Sequence, residues 1–243
     1  MTGKVYVVTG ASRGIGLEFV KQIIEEKDIV FACARNLSSS KELVDLATKN
    51  KDKVIPITLD TTNLDTINAA ASEITERAPD GIDVLINNAG IGSTLDYNIE
   101  TVPQEEFTRV INTNVIGVSN VTQRFIPLLR KRGEQQVKKI INISSIIGSI
   151  TSMDGSRGSG QGPVYGISKT ALNMLTRLTA NHLRSENFIV FAIHPGWVST
   201  DLGGQSAPVT SQESVRGILN KIDQCQSKDS GEFFDFTGAS LEW

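Results

Sequence analysis

Histidine and cysteine are almost missing from this chain, with two of each among 243 residues. Structural and catalytic zinc sites draw on clusters of these residues, and none here has ligand spacing, so no metal is expected. Cys33 falls in an apolar run and Cys225 in a polar helical stretch. Two such cysteines make no disulfide framework and fit a reducing, cytoplasmic setting. A strong charge of either sign is also lacking. The formal net charge of -3 offers no general attraction to nucleic acid or to an anionic membrane. No apolar run approaches the roughly 20 residues that cross a bilayer. The first strand pattern begins so early that a signal peptide has no room. Linkers and internal repeats are absent too, so 1–243 reads as one sheet-centred domain.

What the chain does have is a rhythm of short apolar runs alternating with helical patterns. The runs are 4–9, 29–34, 54–58, 84–87, 139–144 and 189–194, with helical stretches such as 64–77 and 105–130 between them. A late run over 232–236 offers one more strand. Hydrophobicity within the runs is continuous rather than alternating, as in strands buried on both faces. The fold class is therefore α/β: a doubly wound parallel sheet of Rossmann type, flanked by helices on both faces.

The first run breaks into Gly10-Ala-Ser12-Arg13-Gly14-Ile15-Gly16 and then a helical pattern. Strand, glycine-rich turn and helix start make a cradle for phosphate, because the glycines let the backbone approach an anion and the helix start offers free N–H groups. Gly10-x-Ser12-x-Gly14 also matches the nucleophile elbow of hydrolases. That reading needs a histidine base and earlier strands. Here the turn ends the first strand, and the only histidines are His182, in a helical pattern, and His194, before Pro195. Farther on, Tyr165 and Lys169 are spaced i, i+4, which puts both on one helix face. A nearby ammonium favours phenolate and is expected to lower the tyrosine pKa, giving a proton donor and acceptor near neutral pH. Ahead of them, 153–163 is rich in glycine and serine and is expected to be a mobile loop that walls a substrate pocket.

Taken in order, Thr9–Gly16, Asp60-Thr61, Asn87-Asn-Ala-Gly90, Asn114-Val-Ile-Gly117, Ser144-Ser145, Tyr165-Gly-Ile-Ser-Lys169 and His194-Pro-Gly196 resemble the short-chain dehydrogenase/reductase family over nearly the whole chain. Within it, the stretches around Ser145, Lys169 and Gly196, together with the ending Phe236–Trp243, look most like sniffer-type carbonyl reductases and C-factor-like proteins. The resemblance implies that Tyr165 protonates the substrate oxygen as hydride arrives from a nicotinamide. Lys169 would stabilise the phenolate and bind the nicotinamide ribose. Either Ser144 or Ser145 would hold the carbonyl, and family position favours Ser145. Asn114 would support a water relay to the lysine. Cofactor contacts carried over by position are Gly10, Ser12, Arg13, Gly14, Ile15, Gly16, Arg35, Asn36, Asp60, Thr61, Asn87, Ala89, Gly90, Tyr165, Lys169, Pro195, Gly196, Val198 and Thr200.

Cofactor choice follows from charge. A carboxylate ending the second strand would bind the ribose diol of NADH and repel a 2′-phosphate. That strand instead ends Ala34-Arg35-Asn36, and Arg13 flanks the same place, so NADPH/NADP+ is expected over NADH. The activity expected is reduction of a ketone or aldehyde, with a small-molecule carbonyl as partner and a homodimer or homotetramer as the assembly. Two other readings share these motifs: a ketoreductase dedicated to an aromatic polyketide, and a signalling protein that binds nucleotide without turnover. Ile146, Ile147, Trp197 and the 153–163 loop are candidates to line the pocket.

Overall fold

The computed structural model describes residues 3–94, 97–153 and 162–243. Seven strands form one sheet: β1 (Val5–Thr9), β2 (Ile29–Ala34), β3 (Val54–Thr58), β4 (Val84–Asn87), β5 (Lys138–Ile143), β6 (Phe188–His194) and β7 (Phe233–Asp235). Their order is β3-β2-β1-β4-β5-β6-β7, and every neighbouring pair is parallel. The order reverses direction between β1 and β4. In open α/β sheets that switch point opens a crevice at the carboxyl ends of the strands.

Helices α1 (Gly14–Ile23), α2 (Lys41–Lys49), α3 (Leu64–Arg77), α4 (Gln104–Ile111), α5 (Val118–Arg130), α6 (Pro163–His182) and α7 (Ser211–Gln224) connect the strands. Successive strand residues point to opposite faces, and the core divides accordingly. Tyr6 and Val8 of β1 join Phe19 of α1, Leu43 of α2 and Ile218 of α7 on one face. Val5 and Val7 join Ile67 of α3, Phe125 of α5 and Ala180 of α6 on the other. All five residues of β1 are buried, which is why the run reads as continuous hydrophobicity.

Three details differ from the sequence pattern. The stretch 105–130 is not one helix: a π-helical turn, Asn112–Gly117, separates α4 from α5. A π-turn widens the helix without altering the apolar period on either side, so the pattern does not reveal it. Pro163 is not loop but the first residue of α6, a position where its missing N–H costs nothing. Cys225, expected inside a helical pattern, follows the end of α7 and is buried, its thiol pushed upward by that burial. Of the loop expected over 153–163, residues 154–161 lie outside the described residues. Among the described residues no helix is long and apolar enough to cross a membrane, and no group of three potential metal ligands occurs.

Candidate active site

The crevice between β1 and β4 is stitched by main chain and two side chains. The Thr9 hydroxyl accepts the amides of Asn88 (3.0 Å) and Ala89 (3.1 Å). The Asn88 side-chain amide reaches back to the carbonyls of Thr9 (2.9 Å) and Gly10 (3.2 Å). This closeness explains two glycines. A Cβ at Gly16 would lie 2.1 Å from the Gly10 carbonyl oxygen, and Gly10, at φ +66, would press one within 2.9 Å of the Ala89 Cα. The turn therefore runs flat over β4 and delivers the start of α1 to the crevice. No side chain caps α1, and its first turn has no acidic residue. Its leading N–H groups are left to an anion.

Cations flank this start. Arg13 immediately precedes α1 and lies 3.1 Å from Asp201, but both are largely exposed, and such pairs are weak enough to yield to another anion. Arg35 follows β2, exposed, next to the turn that the Ala11 amide ties to the Cys33 carbonyl at 2.9 Å. Asn36 is spent on its own loop, its side-chain oxygen accepting from the Ser38 amide and hydroxyl. Ser12 makes no hydrogen bond to His182 or His194, so no hydrolase triad forms among the described residues. Ile15 packs on the core below. This group of cradle, uncapped helix start and paired cations fits a phosphorylated dinucleotide.

At the ends of β5 and α6 the second half of the site converges. Tyr165 and Lys169 lie on one face of α6, both buried. The Lys169 Nζ donates to the Ile143 carbonyl at 2.8 Å, where β5 ends, and sits 5.5 Å from the centre of the Tyr165 ring. Burial lowers the Lys169 ammonium to about 8. Burial also raises the Tyr165 phenol to about 12, and a hydrogen bond with Ser145 pulls it only partly back. The lowered phenol expected from the lysine is thus corrected: desolvation by burial dominates, and Tyr165 holds its proton at neutral pH.

The choice between the two serines follows from the end of β5. The Ser144 amide continues the ladder to Ile193 (2.8 Å), while its hydroxyl turns to Asn173 Oδ1 at 2.5 Å. Ser145, in extended conformation beyond the strand, faces Tyr165 and also accepts the Ile147 amide at 3.3 Å. Asn114 sits in the π-turn, fully buried. It accepts the Ile91 amide (2.9 Å) and donates to the Ile91 carbonyl (2.9 Å) and the Ser168 hydroxyl (3.0 Å). Gly90 lies between Asn114 and Lys169, so a Cβ there would come 3.3 Å from Asn114 Oδ1 and 3.6 Å from Lys169 Nζ.

The remaining positions fall around these two halves. Asn87 turns its side chain into the core, donating to Thr122 (3.0 Å) and Asn142 (2.8 Å), which leaves only its main chain toward the crevice. Asp60 and Thr61 follow β3. Asp60 caps its own turn through Thr62, and Thr61 meets Gly117 of the π-turn. Pro195, Gly196, Val198 and Thr200 follow β6, and the Thr200 methyl would lie 3.4 Å from a Cβ on Gly14, so this loop covers the start of α1.

Two groups were not foreseen. Asn173, one turn beyond Lys169 on the same face, joins the Ser144 hydroxyl to the Gly148 carbonyl (3.2 Å) and so fixes β5 against α6. Its i+4 spacing from Lys169 was the available signal. Glu106, its carboxyl held down to about 2 by the Arg109 guanidinium, accepts the Thr94 amide at 2.7 Å, while Arg109 donates to the Gly92 carbonyl at 3.1 Å. That pair secures the segment after Ile91; its i, i+3 spacing marks a helix ion pair but not the loop it holds.

Comparisons with known proteins show the family. The short chain dehydrogenase family model matches residues 4–210, and the chain belongs to that family. Its structure resembles that of an NADPH-bound carbonyl reductase from chicken fatty liver (TM-score 0.93, 36% identity, all of both chains). It also resembles that of the carbonyl reductase Sniffer of D. melanogaster (TM-score 0.91, 32% identity, all of both chains). The C-signal protein of Myxococcus xanthus is 36% identical over 162 residues, covering 67% of this chain and 93% of that one. The likeness to sniffer-type reductases and C-factor-like proteins is therefore shown.

The buried ammonium has a measurable consequence. A lysine whose pKa falls on folding destabilises the native state while it is charged, and stability recovers as pH rises from about 8 to the unfolded value of 10.5. Lys169→Met removes that charge at the expense of one hydrogen bond, and is expected to be more stable than the parent by about 1–2 kcal/mol at pH 7 in chemical denaturation. A variant less stable than the parent would show that the bond to Ile143 outweighs the desolvation.

Proposed function

We propose that this oxidoreductase is an NADPH-dependent carbonyl reductase, acting on a ketone or aldehyde with Tyr165 as proton donor. The observation that carries the reading is the buried Tyr165 phenol, hydrogen-bonded to Ser145 and backed by Lys169, at the edge of a crevice whose other half fits a phosphorylated dinucleotide. The two carbonyl reductase structures it resembles, one of them NADPH-bound, support the same class.

When bound, the nicotinamide supplies hydride. The chain's own groups do the rest. Ser145 and Tyr165 hold the carbonyl oxygen by two hydrogen bonds, drawing electron density from the carbon. As that carbon gains an electron pair, the Tyr165 O–H bond breaks and its proton passes to the oxygen. A phenol at about 12 enters this step protonated, which suits reduction, and the Lys169 charge offsets the phenolate that remains. Asn114 holds the Ile91 segment and the Ser168 hydroxyl around this pair, and by family position supports the route that returns a proton through Lys169. Arg13 and Arg35 would clamp a 2′-phosphate, Gly10–Gly16 the pyrophosphate, Asp60 and Thr61 the adenine side, and the main chain of Asn87, Ala89 and Gly90 the adenosine ribose. Pro195, Gly196, Val198 and Thr200 would seat the carboxamide.

We also infer that two copies pair through α6. Ile167, Met174 and Leu178 form an exposed apolar stripe along that helix, joined by exposed Ile116 of the π-turn.

Three measurements test these assignments. NADPH oxidation, followed optically over diketones, quinones, aldehydes and aromatic ketones, should find a substrate. Tyr165→Phe should cut kcat on it by about 100-fold or more without loss of NADPH binding. Turnover equal to the parent's would remove Tyr165 from the proton step, and NADPH binding with no carbonyl reduced would favour a nucleotide-binding signal protein. Arg35→Glu should weaken NADPH binding roughly tenfold or more while sparing NADH, because only the former carries the 2′-phosphate. Equal loss for both cofactors contradicts the clamp. By light scattering, Met174→Glu with Leu178→Glu should be a monomer where the parent is a dimer or larger, and an unchanged mass excludes the α6 interface.

A further inference from the structure

Between Ser145 and Met153 the chain forms a succession of tight turns. The Gly148 amide donates to the Ser145 carbonyl (2.9 Å), the Ser149 amide to Ile146 (3.0 Å), the Ser152 amide to the Ser149 hydroxyl (3.2 Å) and the Met153 amide to Ile150 (3.2 Å). The inner end is fixed by Ser145 and by Gly148, whose carbonyl accepts from Asn173 and Thr170. Its outer end presents Ile150, 72% exposed, and Met153, 43% exposed. A segment bonded mainly to itself needs an external hold at that end to keep one position.

The hold comes from 92 residues away. The main-chain oxygen of Trp243 accepts both the Thr151 amide (3.1 Å) and the Thr151 hydroxyl (2.9 Å). Trp243 is itself fixed from the far edge of the sheet. Its indole stacks on the fully buried Phe233 of β7, centres 5.4 Å apart at 18°, and the Leu241 amide bonds the Phe233 carbonyl at 2.8 Å. The ring thus transmits the position of β7 to Thr151, six residues past Ser145.

We infer that this clasp makes Trp243 a positioning residue that sets the place of the Ser145–Met153 wall and thereby decides which carbonyls fit, by bulk. The substrate arm of the inference rests on the reductase reading, while the clasp itself does not. Tyr165 and Lys169 lie on α6, which is tied to β5 through Asn173 and Ile143 and to the wall at its inner end, Gly148, away from the clasp. Loosening the clasp should therefore change how a large substrate seats more than how a small one reacts.

The test uses Trp243→Ala, Trp243→Phe and Thr151→Val, each compared with the parent by hydrogen–deuterium exchange and steady-state kinetics. In Trp243→Ala the 149–153 amides should exchange about tenfold faster while those of β1 keep their protection, showing an intact fold. With a bulky aromatic ketone kcat/KM should fall roughly tenfold through KM, while kcat on a small diketone stays within about twofold. Trp243→Phe, which keeps a stacking ring, should restore both readouts, and Thr151→Val should fall between. Unchanged exchange, or equal proportional losses on both ketones, overturns the inference. If the parent reduces no carbonyl, the reductase reading falls, and the exchange data alone decide whether the clasp holds the wall.

Discussion

A single buried ammonium organises the reactive half of this molecule. Lys169 is removed from water with the Ile143 carbonyl as its acceptor, and the elements around it are shaped to allow that. Gly148 lets the chain beyond β5 lie directly on the Lys169 backbone, where a Cβ would meet the Lys169 carbonyl carbon at 2.7 Å. Gly90 leaves room beside the Nζ, and the π-turn swings Asn114 to the opposite flank. A buried ammonium is costly, and the cost falls as oxygens reach it. A ribose hydroxyl or a water delivered with a bound dinucleotide would supply them. On the proposed reading, binding and catalysis would use this same charge.

Legibility in the sequence followed the range of the physical cause. Steric causes are local, so the glycines of the first turn announced a close approach, and the structure shows it at Gly10 and Gly16. Strand cores were legible because β1, β2 and β6 are buried on both faces, leaving no alternation to misread. The π-turn was not, since one extra residue in a turn preserves the apolar pattern at both ends. Motif position also gives no side-chain direction. Asn87 looked like a ligand-facing residue, yet its amide belongs to a buried chain running through Asn142 to Thr176. The phenol was misjudged for a related reason. A spacing of four residues reports the neighbouring charge, whereas burial depends on everything packed over it.

The two halves of the site are built from different materials, and this separates what the family match carries from what it does not. The dinucleotide half is main chain, held by Thr9 and Asn88 across the switch point and by glycines that admit no Cβ. Backbone recognition of phosphate tolerates little change, so the same residue pattern serves one cofactor chemistry. The proposed substrate half is side chains on turns: Ile146 to Met153 after β5 and Trp197 after β6, the latter half exposed and pinned through its indole N–H to the Gly203 carbonyl at 2.6 Å. Such positions can change size and polarity without disturbing the sheet.

Ser145 stands at the join of these halves, and its position is the sensitive quantity. In the proposed reduction its oxygen would meet the same carbonyl oxygen as the Tyr165 phenol, and an error near 1 Å in such a meeting costs on the order of 100-fold in rate. On one side the residue is fixed by β5 and by the Ser144–Asn173 bridge. On the other it continues into turns held at their inner end by Asn173 and Thr170 on the Gly148 carbonyl and at their outer end through Thr151. A rigid inner attachment with an adjustable outer one would let the proposed wall move while Tyr165 and Ser145 keep their separation. On the reductase reading, choice of substrate and competence for reduction would therefore be set by different contacts, and one could be altered without the other.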